Sequence, residues 1–282
     1  FGFPSAFQII DKSNALNILT FHANIDGSKF FKNLPVVLSI LRKIVNWRMD
    51  GIIGVAELNL KVFKKYPKPT IVIPNGIDLS RFNLNVSKIK KFNDGKINLL
   101  YLGRIEERKG LIYLLKAFII LEKKFNNLRL IVVGDGELKK ECEQFVKDNN
   151  LKEVCFEGEI KEEYIPSYYK TADIFVSPAI FGESFGMVLL EAMACGTPVV
   201  AFANKGYEAF LKGKKGEYFL VEPKDYKGLA EKISILAGDN DLRAKISEEV
   251  VQEAQEYSWE KITDKILKFY DLCEKSKRKE KH

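Results

Sequence analysis

The chain has 282 residues, 46% of them hydrophobic and 29% charged, and 45 basic against 38 acidic side chains leave a net charge of +7. That length fits two domains, and the apolar share is ordinary for a protein with a sizeable core. No apolar run nears the ~20 residues of a bilayer span, and the interleaved charges read as a solvated surface, which argues against a nucleic-acid partner and leaves an anionic substrate or a membrane surface as uses for the excess.

In chain order, "FGFPSAFQII" has no initiator Met and no signal-peptide layout, and reads as the middle of a domain. "LNILTFH" predicts a strand, "PVVLSILRKIVNWRM" an amphipathic helix, and "GIIGVA" and "TIVIP" two further strands. Three strands without a leading strand, Gly-rich loop and helix make the first domain, 1–73, incomplete. "PNGIDLSRF" supplies the turn residues of a domain junction.

From Lys96 onward strands and helices alternate. "KINLLYLG", "LRLIVVG", "VCFEG", "DIFVSPA" and "PVVAF" are short apolar strands, separated by helical stretches ending in "GMVLLEAMACG". Such alternation predicts an α/β domain, 74–256, with a parallel sheet covered on both faces and ligands at the carboxyl ends of its strands. "YSWEKITDKILKFYDLCE" (257–274) predicts a long amphipathic helix with Ser258 as N-cap, followed by a disordered basic tail, 275–282. Cys142, Cys155, Cys195 and Cys273 contain no CxxC pair and fit reduced thiols in a cytosolic protein.

"FGESFGMVLLEAMACGTPVV" carries Glu183 in a Gly-flanked turn and Glu191 in the helix that the pattern starts near Phe185 or Gly186. Read alone, an acid before a helix is a cap or dipole partner, and Glu191 an ordinary helix residue. The pair around a Gly-rich turn, beside a helix N-terminus able to bind an anion, points to a ligand site. In "LGRIEERKG", Arg104 and Lys109 suit a diphosphate, whereas Arg108 reads as a solvated loop charge. "VVGDGE" begins like GxGxxG, but Lys139 occupies the third glycine position, which weakens a dehydrogenase reading. "DND" at 239–241 mimics an Asp-x-Asp metal motif, yet its place between two C-terminal helices makes capping by Asp239 and Asp241 the better explanation.

Taken together, "ESFGMVLLE", "GRIEERKG", "IPNGID", "VVGDGE", "FEG" and "YSWE" resemble glycosyltransferase family 4, over nearly the whole chain from "FGFPSAFQ" and "TFH" to "ILKFY". The resemblance implies a GT-B fold of two Rossmann-like, doubly wound parallel-sheet domains, the first acceptor-side and incomplete here, the second nucleotide-sugar-binding, with the C-terminal helix crossing back to the first. Phosphatidylinositol mannosyltransferases and related lipid-linked mannosyltransferases are the most similar members. The implied activity is retaining transfer of a hexose, best mannose from GDP-mannose, from a nucleoside diphosphate sugar to a lipid-linked or glycan acceptor, without cofactor or metal. By the same resemblance, Arg104 and Lys109 hold the donor diphosphate and Glu183 contacts the sugar hydroxyls. The amides of Phe185, Gly186 and Met187 bind phosphate or sugar, Glu191 binds the ribose, and the backbone of Gly158, Glu159 and Ile160 reads the base. His22 matches an acceptor-side active-site histidine; alone it reads as structural. A non-catalytic sugar-nucleotide-binding fragment and a GT-B-fold epimerase are the rival readings. The basic, apolar stretch with Lys29, Lys32, Arg42, Lys43, Trp47 and Arg48 reads either as a core-packing helix or as a peripheral contact with anionic membrane. The reduced thiols imply a cytoplasmic place, and the second alternative puts it at the cytoplasmic face of the membrane.

Overall fold

Short runs of Val, Ile and Leu with few charges become strands buried on both faces, and the helical-period stretches between them become the covering layers. The computed structural model describes residues 15–22, 35–63 and 65–279, with side chains from residue 39 onward in the first helix. The opening "FGFPSAFQII", Lys29, Lys32 and the last residues 280–282 lie outside the described residues. The chain divides into two units, one of Phe1–Gly76 with Trp259–His282 and the other of Ile77–Ser258.

In the first unit, β1 (Ile18–Phe21), α1 (Pro35–Arg48), β2 (Gly51–Gly54), α2 (Glu57–Leu60) and β3 (Thr70–Val72) form a three-stranded parallel sheet ordered β1-β2-β3. Successive strand residues face opposite sides. Accordingly Ile52 packs with Val45, Met49 and Phe63, while its neighbour Ile53 packs with Ile73, Ile262, Phe269 and Cys273.

The second unit runs β4 (Ile97–Leu102), α3 (Leu111–Glu122), β5 (Leu128–Val133), α4 (Lys139–Asp148), β6 (Val154–Gly158), α5 (Ile165–Thr171), β7 (Ile174–Ser177), α6 (Met187–Ala194), β8 (Val199–Phe202), α7 (Lys205–Leu211), β9 (Leu220–Val221), α8 (Tyr226–Gly238) and α9 (Asn240–Gln255). Its six parallel strands lie in the order β6-β5-β4-β7-β8-β9. The strand order therefore reverses direction between β4 and β7, and ligands of such sheets bind outside the carboxyl ends at that switch point. The unit's two ends meet: Ile77 bridges Ser258, and its amide donates to the Tyr257 carbonyl at 2.8 Å.

The helix expected to start near Phe185 or Gly186 begins at Met187, because Gly186 adopts φ +102°, outside helical space, and three other features differ from the sequence expectations. Strand β9 and helix α7 were not foreseen: β9 has only two residues, and α7 starts from Asn204, whose side chain accepts the Gly206 and Tyr207 amides. The tail is not disordered from residue 275. Helix α10 (Trp259–Lys279) extends into it as far as Lys279, since Lys277 Nζ reaches the Ala15 carbonyl at 2.7 Å and buried Asp50 at 2.8 Å. The "DND" segment does cap: Asp239 accepts the Leu242 amide at 2.9 Å.

Candidate active site

The loops after β4 and β7, which flank the switch point, are clasped together. Gly110 has φ +69°, and a Cβ there would lie 2.1 Å from the Pro178 carbonyl oxygen, so only glycine allows this approach. Beside it the Ile180 amide donates to the Arg108 carbonyl at 2.7 Å. The clasp delivers Lys109 and Arg108 to Glu183: Lys109 Nζ and Arg108 Nη1 both donate to Glu183 Oε1, at 2.8 and 2.9 Å. The Lys109 and Glu183 side chains are only 16% and 15% exposed, so this pairing is poorly screened by solvent.

Arg108 is therefore not the solvated loop charge the sequence implied. Its Nε also lies 2.6 Å from Glu106 Oε1, making it a bridge between two carboxylates. Arg104 behaves oppositely. Its side chain is 77% exposed, with Nε 3.7 Å from Glu106, while its carbonyl is fixed by the buried Tyr101 hydroxyl at 2.8 Å. Burial pushes the Tyr101 phenol far above its ordinary range, so it remains a hydrogen-bond donor.

The N-terminus of α6 opens beside Glu183. Among the described residues, no protein acceptor takes the amides of Phe185, Gly186 or Met187. Phe185 itself is buried against Phe210 and Tyr257, with ring centroids 4.9 and 5.8 Å away, which fixes the turn without using its amide. Helix α7, missed in the sequence, supports the same turn. Gly206 packs so closely that a Cβ would stand 2.4 Å from the Glu183 carbonyl oxygen, and Asn204 Nδ2 donates to the Ala179 carbonyl at 2.9 Å.

Glu191 lies one turn further along α6 and accepts the hydroxyl of fully buried Tyr169 at 2.9 Å. Burial raises the Glu191 carboxyl above its ordinary value; the Tyr169 hydrogen bond and the charge of Arg81 oppose that shift. Arg81 is held to Glu162 by its Nη1 at 2.8 Å and to the Glu162 carbonyl by Nη2 at 2.7 Å. Gly158 closes β6 with φ +69°, followed by exposed Glu159 and half-buried Ile160. The Gly158 carbonyl accepts the Gly134 amide at 2.8 Å. Gly134 and Gly136 are needed for backbone proximity to the β4 loop, where Cβ atoms would stand 2.0 Å from the Gly103 oxygen and 2.3 Å from the Ile105 oxygen. His22 follows β1 in the other unit and is exposed. Among the described residues, no group of three or more His, Cys, Asp or Glu is placed to hold a metal ion.

The family model for glycosyl transferases group 1 matches residues 84–253, from before β4 into α9, which covers the loops after β4, β5, β6 and β7 but neither Arg81 nor His22. The chain belongs to this family. An uncharacterised glycosyltransferase of Methanocaldococcus jannaschii is 31% identical over 72% of the chain and 54% of its own length. A phosphatidyl-myo-inositol mannosyltransferase of Mycolicibacterium smegmatis is 29% identical over 90% of the chain and 64% of its own length. The chain thus spans a little over half to just under two thirds of these curated relatives. Among solved structures, Anabaena HepE in complex with UDP superposes with a TM-score of 0.81 at 21% identity, covering 94% of this chain and 75% of that one. The fold expectation holds: this group 1 glycosyltransferase chain has the GT-B fold, with one parallel α/β sheet in each unit.

Within the group 1 chain, Glu183 and Lys109 come together with the unpaired α6 amides, whereas Arg104 stands apart on the loop surface. Sequence reasoning missed Arg108, Tyr169 and Arg81. A signal existed for Arg108 alone, its adjacency to Lys109, but only the 3-10 turn over Glu107–Lys109 turns both side chains to one carboxylate.

Proposed function

We propose that this chain carries the donor site of a retaining hexosyltransferase that moves mannose from GDP-mannose to a lipid-linked or glycan acceptor. The observation that carries the reading is the Lys109–Glu183–Arg108 cluster beside three unpaired amides at a helix N-terminus, at the switch point of a parallel sheet. In this reading Lys109 and Arg104 hold the diphosphate, and Glu183 takes the sugar hydroxyls. The amides of Phe185, Gly186 and Met187 neutralise charge on the departing phosphate. Glu191 accepts from the ribose hydroxyls, and the backbone at Gly158, Glu159 and Ile160 contacts the base. The bond from the anomeric carbon to the diphosphate oxygen breaks as the acceptor oxygen attacks from the same face. The acceptor proton passes to the leaving phosphate. Glu183 is no covalent nucleophile in this scheme, since two cations already engage its carboxylate.

The mannosyl choice rests on relatives named phosphatidyl-myo-inositol mannosyltransferase. In the first unit, His22 serves the acceptor side. Helix α1 offers the membrane contact, at the cytoplasmic face, with exposed Arg42 and Lys43, Ile40 52% exposed, and Trp47 70% exposed beneath the Arg48 guanidinium at 3.3 Å. No helix among the described residues is long and apolar enough to cross a membrane.

Thermal unfolding with GDP-mannose, UDP-glucose, GDP and UDP tests the donor assignment, and acceptor-dependent release of GDP by the full-length protein tests transfer. Stabilisation by GDP-mannose above all others, with release only when acceptor is supplied, is the expected result. Stabilisation by the uridine compounds alone defeats the mannosyl reading. Binding without release defeats the transferase reading in favour of a binding module.

A further inference from the structure

A basic cavity lies at the other end of the same sheet from the candidate donor site. The candidate donor loops follow the carboxyl ends of β4 and β7. This depression, about 280 Å³, is lined by segments that precede β7 and β8, including Ala172, Asp173 and Cys195 to Pro198. Lys88, Lys170 and Arg243 supply its charge. Asp173 is the one carboxylate in the wall, and one of its oxygens takes the Asn98 amide at 2.8 Å.

Three cations face one acid, and the fold holds them there. Ile89 is pinned beside α5 by the hydrogen bond its backbone amide donates to Thr171 Oγ1 at 2.7 Å, which brings Lys88 up to Lys170. Thr197 Oγ1 donates to the Tyr169 carbonyl at 2.7 Å, and Ser247 Oγ to the Gly196 carbonyl at 2.6 Å, tying α9 and the turn before β8 into the same wall. Arg243 is braced through Nη1 by the Leu236 carbonyl at 2.5 Å and the Ala237 carbonyl at 3.0 Å, and through Nη2 by Asn240 Oδ1, so it contributes its charge while Lys88 and Lys170 keep their ammonium donors for a ligand. Among the described residues, neither Lys88, Lys170 nor Arg243 has a carboxylate within salt-bridge distance. Burial lowers the pKa of half-buried Lys170, and the charge of Lys88 lowers it further. Like charges packed without a counter-charge are destabilising unless an anion joins them.

We propose that this cavity is a second anion site, built for a phosphate monoester dianion and separate from the donor site. A net excess of two positive charges matches that dianion, and the ammonium groups of Lys88 and Lys170 give several donors to one phosphoryl group. The phosphoryl group belongs either to a soluble phosphate or to an anionic lipid headgroup. The chemistry is shared, and the assay separates the sources.

Inorganic phosphate is titrated into the full chain by calorimetry at constant ionic strength, with chloride as the control. The expected result is a phosphate isotherm that survives Lys109→Gln and weakens by about tenfold or more in Lys88→Gln/Lys170→Gln. Lys170→Arg, which retains the charge, should bind nearly as the parent does. Circular dichroism of the double variant should match the parent, because both side chains reach solvent and their removal relieves repulsion. Vesicles of phosphatidylcholine with and without phosphatidic acid identify the source. Retention by phosphatidic acid that the double variant loses assigns a lipid headgroup, and phosphate binding without such retention assigns a soluble ligand. Absence of phosphate binding to the parent, binding unchanged in the double variant, or binding abolished by Lys109→Gln overturns the proposal.

Discussion

Glu183 and Glu191 stand eight residues apart on either side of one helix start, yet their surroundings are opposite. Glu183 is held by two cations, Lys109 and Arg108, which come from a different loop. Among the described residues, Glu191 has no cation within hydrogen-bonding distance; it is half-buried under the Tyr169 hydroxyl, with Arg81 acting on it only through space. The first is a carboxylate whose charge is matched before any ligand arrives. The second is a desolvated acceptor whose charge the single Tyr169 donor offsets only in part, so a further donor would stabilise it. Residue type alone would give both the same job; the neighbours separate them, and the proposed division into sugar and ribose contacts follows that separation.

The sharpest way to break the comparison is to neutralise each glutamate in turn. Glu183→Gln should lower transfer on the order of 100-fold, the scale for losing one preorganised polar contact at a reacting centre. It should leave the affinity for free nucleoside diphosphate nearly intact, because that ligand lacks the sugar. Glu191→Gln should instead weaken the nucleotide itself by about 1–3 kcal/mol, the cost of damaging a hydrogen bond to a buried charged group. Calorimetry with the diphosphate and a transfer assay on the full-length protein read both effects. Matching losses in the two variants would dissolve the distinction.

The cations sharpen the Glu183 side. Lys109→Ala and Arg104→Ala should each reduce diphosphate affinity by about tenfold or more, as expected for a charge-assisted hydrogen bond. Their stability costs should differ. Lys109 is the buried partner of Glu183, so its loss should also lower the melting temperature, whereas highly exposed Arg104 should leave it unchanged. Arg108→Ala is the control for the bridge: it should lower the melting temperature as Lys109→Ala does. A neutral effect of Arg108→Ala on melting would return it to the class of solvated loop charges.

This contrast also shows what a single sequence can and cannot carry. The strands of the second unit were legible because runs such as "LRLIVVG" have no amphipathic alternative, and a β-strand buried on both faces needs that pattern. Glu183, Lys109 and Glu191 were legible because each lies at a strand end or helix start in a motif of fixed spacing. Arg108 was not, since neighbouring residues on a loop diverge or converge according to a turn that local pattern does not specify. Tyr169 was hidden for a different reason: a tyrosine in "YIPSYYKTA" looks like core, and its bond to Glu191 spans 22 residues. Helix α7 is only seven residues long, so the helical spacing of Tyr207, Phe210 and Leu211 completes barely one repeat, and tertiary packing against the Glu183 turn supports it. In the tail, "KSKRKEKH" looks solvated, and only the meeting of Lys277 with buried Asp50 extends the helix.

The smallest effect tests the burial of Glu191 directly through pH. Its carboxyl is raised in the folded chain above the ordinary value of 4.5, chiefly by burial. The folded state therefore binds its proton more tightly than the unfolded state does. By linkage, the stability from this group is fully present below about 4.5 and is lost as pH rises through its raised folded value. Nucleotide binding should run the other way, because a ribose hydroxyl donates to the ionised carboxylate, so affinity should rise across that same window. Melting temperatures of the parent and Glu191→Gln, measured in small steps from pH 4 upward (roughly to neutrality, where Glu is ionised), should differ in slope only within the window. The parent should lose stability relative to the variant as Glu191 ionises, and Glu183→Gln should not reproduce that difference. Parallel curves for the parent and Glu191→Gln would mean that Tyr169 and Arg81 already compensate the buried charge, and the asymmetry between the two glutamates would then rest on their partners alone.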